Sequence, residues 1–167
     1  MSYIRYFHLK GTGSSTGLIF SIYAIGSIVG SFVCGPLSDR WGRRWGMFIS
    51  AMVIIISTLV QASSINMAMF ILGHFILGIG SSVSASAGAS YVAEIAHPAW
   101  RGTITGLYNT FWFVGYIAAA FVIYGMNNIK SDLQWRLPIW LQILLSSGFA
   151  LGCLFCPESP RWYVSHM

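Results

Sequence analysis

The residues with most chemical content lie in three short runs. The first is Gly35-Pro36-Leu37-Ser38-Asp39-Arg40-Trp41-Gly42-Arg43-Arg44. The second is Glu94-Ile95-Ala96-His97-Pro98-Ala99-Trp100-Arg101-Gly102, and the third is Pro157-Glu158-Ser159-Pro160-Arg161-Trp162. Each sets a carboxylate a few residues before an arginine. The chemistry this pattern allows is ion pairing and charge-assisted hydrogen bonding. It does not supply bond breaking, because no run pairs a nucleophile with a base or gathers metal ligands. An intramembrane enzyme would need such groups inside the apolar stretches. His74 stands there alone, and the acids lie between the stretches. No catalytic residue, cofactor or metal site is therefore expected.

The elements that position these runs follow from where charge is missing. Apolar residues make up 56% of the chain and charged residues 8%, against about 25% charged in a soluble domain. With a mean hydropathy of +0.68, too little polar surface remains to cover a soluble fold. Stretches of about twenty apolar residues match the roughly 30 Å hydrocarbon core of a bilayer. Five spans are predicted, at Thr16–Gly35, Trp45–Ser64, Met67–Ala93, Thr103–Met126 and Leu137–Cys156. Residues 1–15 read as a tail before them and 157–167 as a tail after them. The stretches are twice the length of barrel strands and do not alternate, so they read as helices, which satisfy every backbone group internally. The class is an all-α integral membrane protein.

Sidedness follows from lysine and arginine. Arg40, Arg43, Arg44, Arg101 and Arg161 fall on one side, the predicted cytoplasmic face; Lys130 and Arg136 fall towards the other. Arg5 and Lys10 precede the first span on the outer side and break the rule. The net charge of +5 belongs to loop ends rather than one face, which argues against nucleic acid. Asp39 is expected near the start of the second helix, where its charge suits the dipole. Glycines between Gly35 and Gly42 are expected to permit the reversal. Gly26-x-x-x-Gly30, Gly73, Gly78, Gly80 and the run Ser81–Ser90 suit close helix approach. Pro98 and Pro138 are placed at loop or span edges, so no span should be kinked. Cys153-x-x-Cys156 has redox spacing without a soluble βαβ context, and it reads as packing. Residues 1–16 lack an apolar core with a cleavage site, so no signal peptide is expected.

Together the runs resemble a known family. Gly35–Arg44 resembles the signature between the second and third helices of the major facilitator superfamily. Glu94–Gly102 resembles the loop between helices four and five of its sugar porter branch, and Pro157–Trp162 resembles that branch's PESPRW sequence after helix six. The Ala96–Gly102 wording is most similar to fungal hexose and lactose permease-like members. The resemblance covers the chain from Thr16 onward. It implies that the five spans correspond to helices 2–6 of a twelve-helix fold. On that numbering the first helix and the C-terminal half are absent, and the chain is expected to be a truncated copy, a partial gene product or a fragment. A lost first helix would also account for the positive N-terminal tail.

The resemblance further implies alternating access between two six-helix halves, with sugar at the midplane. Gly35, Asp39, Arg40, Gly42, Arg43, Arg44, Glu94, Arg101, Gly102, Glu158 and Arg161 would form the gating motifs, with partners in the other half. The sugar site would draw on Asn109, Thr110, Trp112 and Tyr116; where many sugar porters carry glutamines, this chain has Thr110 and Tyr116. Polar and aromatic side chains inside a span suit a sugar, and ordinary helix packing suits them as well. Many proton-linked members carry an arginine at the position of His74. A proton relay and a structural histidine both remain open there. The expected function is uptake of a hexose or disaccharide across the plasma membrane, through the full-length partnership of both halves. The isolated chain is not expected to transport. The alternative is a non-transporting sugar-sensor-like protein or a remnant of the same family.

Overall fold

The computed structural model describes residues 14–126, 133–159 and 162. The tail containing Arg5 and Lys10, the segment with Lys130, and Arg161 lie outside them. Five helices follow in order: α1 (Ser14–Trp41), α2 (Arg43–Ala62), α3 (Met67–Ile95), α4 (Arg101–Met126) and α5 (Leu133–Phe155). All five are long and apolar enough to cross a membrane. The chain is a multi-pass membrane protein.

Helix α1 packs on α3, α3 on α2, and α2 on α5. Small residues make the first contact possible. A Cβ on Gly78 would collide with the carbonyl of Tyr23 and come within 3.0 Å of the Ser27 nitrogen. A Cβ on Gly26 would likewise collide with the Phe75 carbonyl. The two backbones therefore touch, and hydroxyls bridge them: Tyr23 with Ser81 at 2.8 Å, and Ser31 with Ser82 at 2.9 Å. In lipid this packing replaces the hydrophobic drive that water would supply. Helix α4 differs. It has no buried residue, and its main contacts, with α3 and α5, are light.

Two groups of sequence expectations need correction, the helix ends and the place of Asp39. The first span does not stop at Gly35. Helix α1 runs through Pro36 to Trp41, and Pro138 lies in the second turn of α5 rather than before it. Pro36 removes one rung from the α1 ladder. The helix continues because its end is packed: Ser38 is buried and sits against Gly46 of α2. The reversal thus shrinks to one residue, Gly42, at φ 93°. Gly35 is ordinary helix with nothing near it. The second correction is Asp39, which lies in the last turn of α1. That is the wrong end of a helix for a carboxylate, and Arg43 offsets it at 2.7 Å.

The close approach gives a test. Gly78→Leu is expected to destabilise the detergent-solubilised protein by about 1–3 kcal/mol or more. Gly106→Leu, where a side chain meets open space, is expected to leave the melting temperature unchanged. Equal shifts for both would show that backbone contact does not hold α1 to α3.

Candidate functional site

Two features of the bundle carry polar chemistry. The first is a corner where the arginine-bearing ends of α1 and α2 meet the ends of α3 and α5. A small apolar cluster of Met47, Ala87 and Cys153, flanked by Phe48 and Tyr91, underlies it. Arg43 sits at the centre. Its Nη1 donates to Asp39 at 2.7 Å and its Nε to Glu94 at 3.3 Å. Glu94 is largely buried, with its side chain 11% exposed. Its second oxygen accepts the hydroxyl of the fully buried Ser159. Both carboxylate oxygens are thus satisfied, as a buried charge requires.

Glu158 takes a different role. Its carboxylate accepts the Arg44 backbone N–H at 3.0 Å, in the first turn of α2. The residue that begins α2, Gly42, has no side chain to cap it. Glu158 supplies the missing cap from the segment after α5 and places negative charge at the positive end of the α2 dipole. Gly42 has to lack a side chain for this, because a Cβ there would lie 2.7 Å from the Glu158 oxygen. Two more bonds fasten the end of α5 and that segment. Arg44 Nη2 donates to the Leu154 carbonyl at 2.6 Å, and the Tyr91 hydroxyl donates to the Pro157 carbonyl at 2.8 Å.

The pairing crosses the acid–arginine sets read from the sequence. Glu94 meets Arg43 rather than Arg101. Glu158 meets the start of α2, while Arg161 lies outside the described residues. Arg40 and Arg101 are exposed and belong to neither ion pair. Gly102 opens α4 with free space around it. His97 anchors its loop by accepting the Ala99 N–H at 3.3 Å.

The second feature is a cleft of about 630 Å³ between α3, α4 and α5. From α4 it takes Tyr108, Phe111, Trp112, Gly115, Tyr116 and Ala119, one face at helical spacing. Ser81, Ser84 and Ala85 of α3 form the facing wall, and Gln142 comes from α5. Trp112 and Tyr116, both named from the sequence, stand together here with ring centroids 6.1 Å apart. Asn109 and Thr110 are exposed on α4 and outside the lining. The Thr110 hydroxyl turns back to the Gly106 carbonyl at 3.0 Å. Sequence reasoning missed Tyr108, Ser81, Ser84 and Gln142. The four-residue recurrence of Tyr108, Trp112 and Tyr116 was the available signal.

His74 lies apart from this cleft. It is half-buried in α3, its Nδ1 is 3.2 Å from the Phe70 carbonyl, and its ring tilts on Phe70 at 4.6 Å. Among the described residues no group of three or more potential metal ligands occurs.

These features place the chain in a class, the membrane transporters of the major facilitator superfamily. The family described as "Sugar (and other) transporter" matches residues 2–167, and the chain belongs to it. The glucose transporter GlcP of Staphylococcus epidermidis is 35% identical over 92% of this chain and 34% of its own length. High-affinity glucose transporter 1 of Candida albicans is 34% identical over 96% of this chain and 29% of its own length. A solved structure of the proton:xylose symporter XylE bound to 6-bromo-6-deoxy-D-glucose shares the fold, with a TM-score of 0.89 at 24% identity. That match covers 99% of this chain and 41% of XylE. The chain spans about a third of the length of the curated relatives it matches.

The cap from Glu158 is testable. Glu158→Ala is expected to lower stability by about 0.5–2 kcal/mol, the usual worth of a helix N-cap. Asp39→Asn should cost less, since Asp39 is 71% exposed and exposed pairs contribute about 0–1 kcal/mol. Thermal unfolding in detergent reads both, and a larger loss at Asp39 would reverse the assignment.

Proposed function

We propose that this chain forms one side of an alternating-access sugar transporter that takes up a hexose or disaccharide at the plasma membrane. The observation that carries the reading is the cleft. It joins stacking rings, Trp112 and Tyr116, to the hydroxyl of Ser84 and the amide of Gln142. Neither of those polar groups is engaged elsewhere among the described residues. A sugar needs both an apolar face to stack on and donors and acceptors for its hydroxyls. The names of the relatives, glucose and xylose transporters, support the same substrate class. On this reading the protein moves its substrate and does not convert it.

The spans correspond to helices 2–6 of the fold, and a second helical half closes the open side of the cleft. The exposed length of α4 supports such cover. The corner of Asp39, Arg43, Glu94 and Glu158 lies on the cytoplasmic side and acts as a gate. Arg40 and Arg101, exposed and outside the two ion pairs, reach towards the other half. His74 acts in packing, a role its bond to its own helix supports.

In cells lacking their own hexose carriers, the chain expressed together with a second helical half is expected to give saturable uptake of labelled sugar. Trp112→Ala should raise KM about tenfold, the loss of about 1.4 kcal/mol of stacking. No saturable uptake by the unaltered protein would defeat the reading. His74→Asn should keep both the uptake and its response to external pH. A variant that transports but no longer responds to pH would make His74 a proton carrier instead.

A further inference from the structure

The cleft is longer than one sugar ring. Its α4 lining runs from Tyr108 to Ala119, which at about 1.5 Å per residue is roughly 16 Å. Along it Tyr108, Trp112 and Tyr116 recur every fourth residue. Each step is one turn, about 6 Å of rise, and Trp112 and Tyr116 stand 6.1 Å apart by centroid. Rings joined by a glycosidic bond repeat at a similar distance. A single pyranose seated over Trp112 and Tyr116 would leave Tyr108 uncovered.

The far rung is fixed in place. The hydroxyl end of Tyr108 lies in a notch left by Gly88 of α3, where a Cβ would come within 2.7 Å of Oη and 3.5 Å of Cζ. Tyr108 is half-buried, so its ring marks a defined end of the cleft. The wall opposite is hydroxyl-bearing, through Ser81 and Ser84. Ser81 is already shared with Tyr23 and the Gly78 carbonyl; Ser84 is free among the described residues. The lining contains no carboxylate, lysine, arginine or histidine, which suits an uncharged ligand.

We infer that the cleft takes a neutral two-ring substrate, a disaccharide, with one ring over Trp112 and Tyr116 and the second against Tyr108. Tyr108 is then the residue that sets specificity for length. The inference rests on the transport reading above, and it selects between the two substrate sizes left open there.

The test is uptake of labelled glucose and of labelled maltose, lactose and cellobiose by cells expressing the chain together with a second helical half. At least one disaccharide should be taken up saturably and compete with glucose at lower concentration than glucose competes with it. Tyr108→Ala should weaken that disaccharide about tenfold, a typical loss for one aromatic contact, and leave glucose within about twofold. Tyr108→Phe should keep the preference, because it keeps the ring. Gly88→Ala, which fills the notch, should act like Tyr108→Ala. If glucose enters saturably and no disaccharide enters or competes, the site holds one ring and the inference is wrong while the transport reading stands. Equal weakening of both sugars by Tyr108→Ala also overturns it, since Tyr108 would then serve only the helix contact. If neither kind of sugar enters through the unaltered protein, the transport reading fails and takes the inference with it.

Discussion

A carboxylate at the edge of a membrane bundle must be fully engaged or remain in water. Glu94 is largely withdrawn from solvent, and its two oxygens are divided between Arg43 and Ser159. That division ties α3 to α2 and to the segment after α5. Arg43 extends the tie to α1 through Asp39. Removing one partner would leave charge stranded in a poorly hydrated place, which costs far more than the pair itself contributes. The helix ends are therefore held in one register by two acids, Glu94 and Asp39, sharing a single guanidinium.

The tight reversal between α1 and α2 depends on the same corner. With only Gly42 outside the helices, α2 begins without a side-chain cap of its own. The Glu158 carboxylate fills that role from a distant part of the sequence. The corner thus does locally what a longer loop would do elsewhere. Deeper in the bundle, contact passes to glycine and serine on α1 and α3. Helix α4 shares in neither arrangement. Its freedom from the core leaves its aromatic face open, and that face is the long wall of the cleft.

Much of this was legible in the sequence for physical reasons. Apolar stretches of bilayer length leave few alternatives to helices, so the five elements could be read directly. Trp112 and Tyr116 stood out as polar-tipped rings within a span. Helix ends were harder. Pro36 and Gly35 look like turn residues, yet tertiary packing of Ser38 on Gly46 carries the helix past them. The partners of Glu94 and Glu158 were not legible either. Glu94 lies seven residues before Arg101 in sequence but meets Arg43, because helix packing rather than proximity along the chain sets which charges face each other. The role of Glu158 as a cap for α2 spans 114 residues and has no local signal.

The most direct test of this account is a double-mutant cycle across Arg43 and Glu94, read as unfolding free energy in detergent. Arg43→Gln and Glu94→Gln should each destabilise the protein. The two together should cost less than the sum of the separate losses, with a coupling of about 0.5–3 kcal/mol. Losses that add to within about 0.3–0.5 kcal/mol would show that the two residues act independently, and the corner would not be the lock described here.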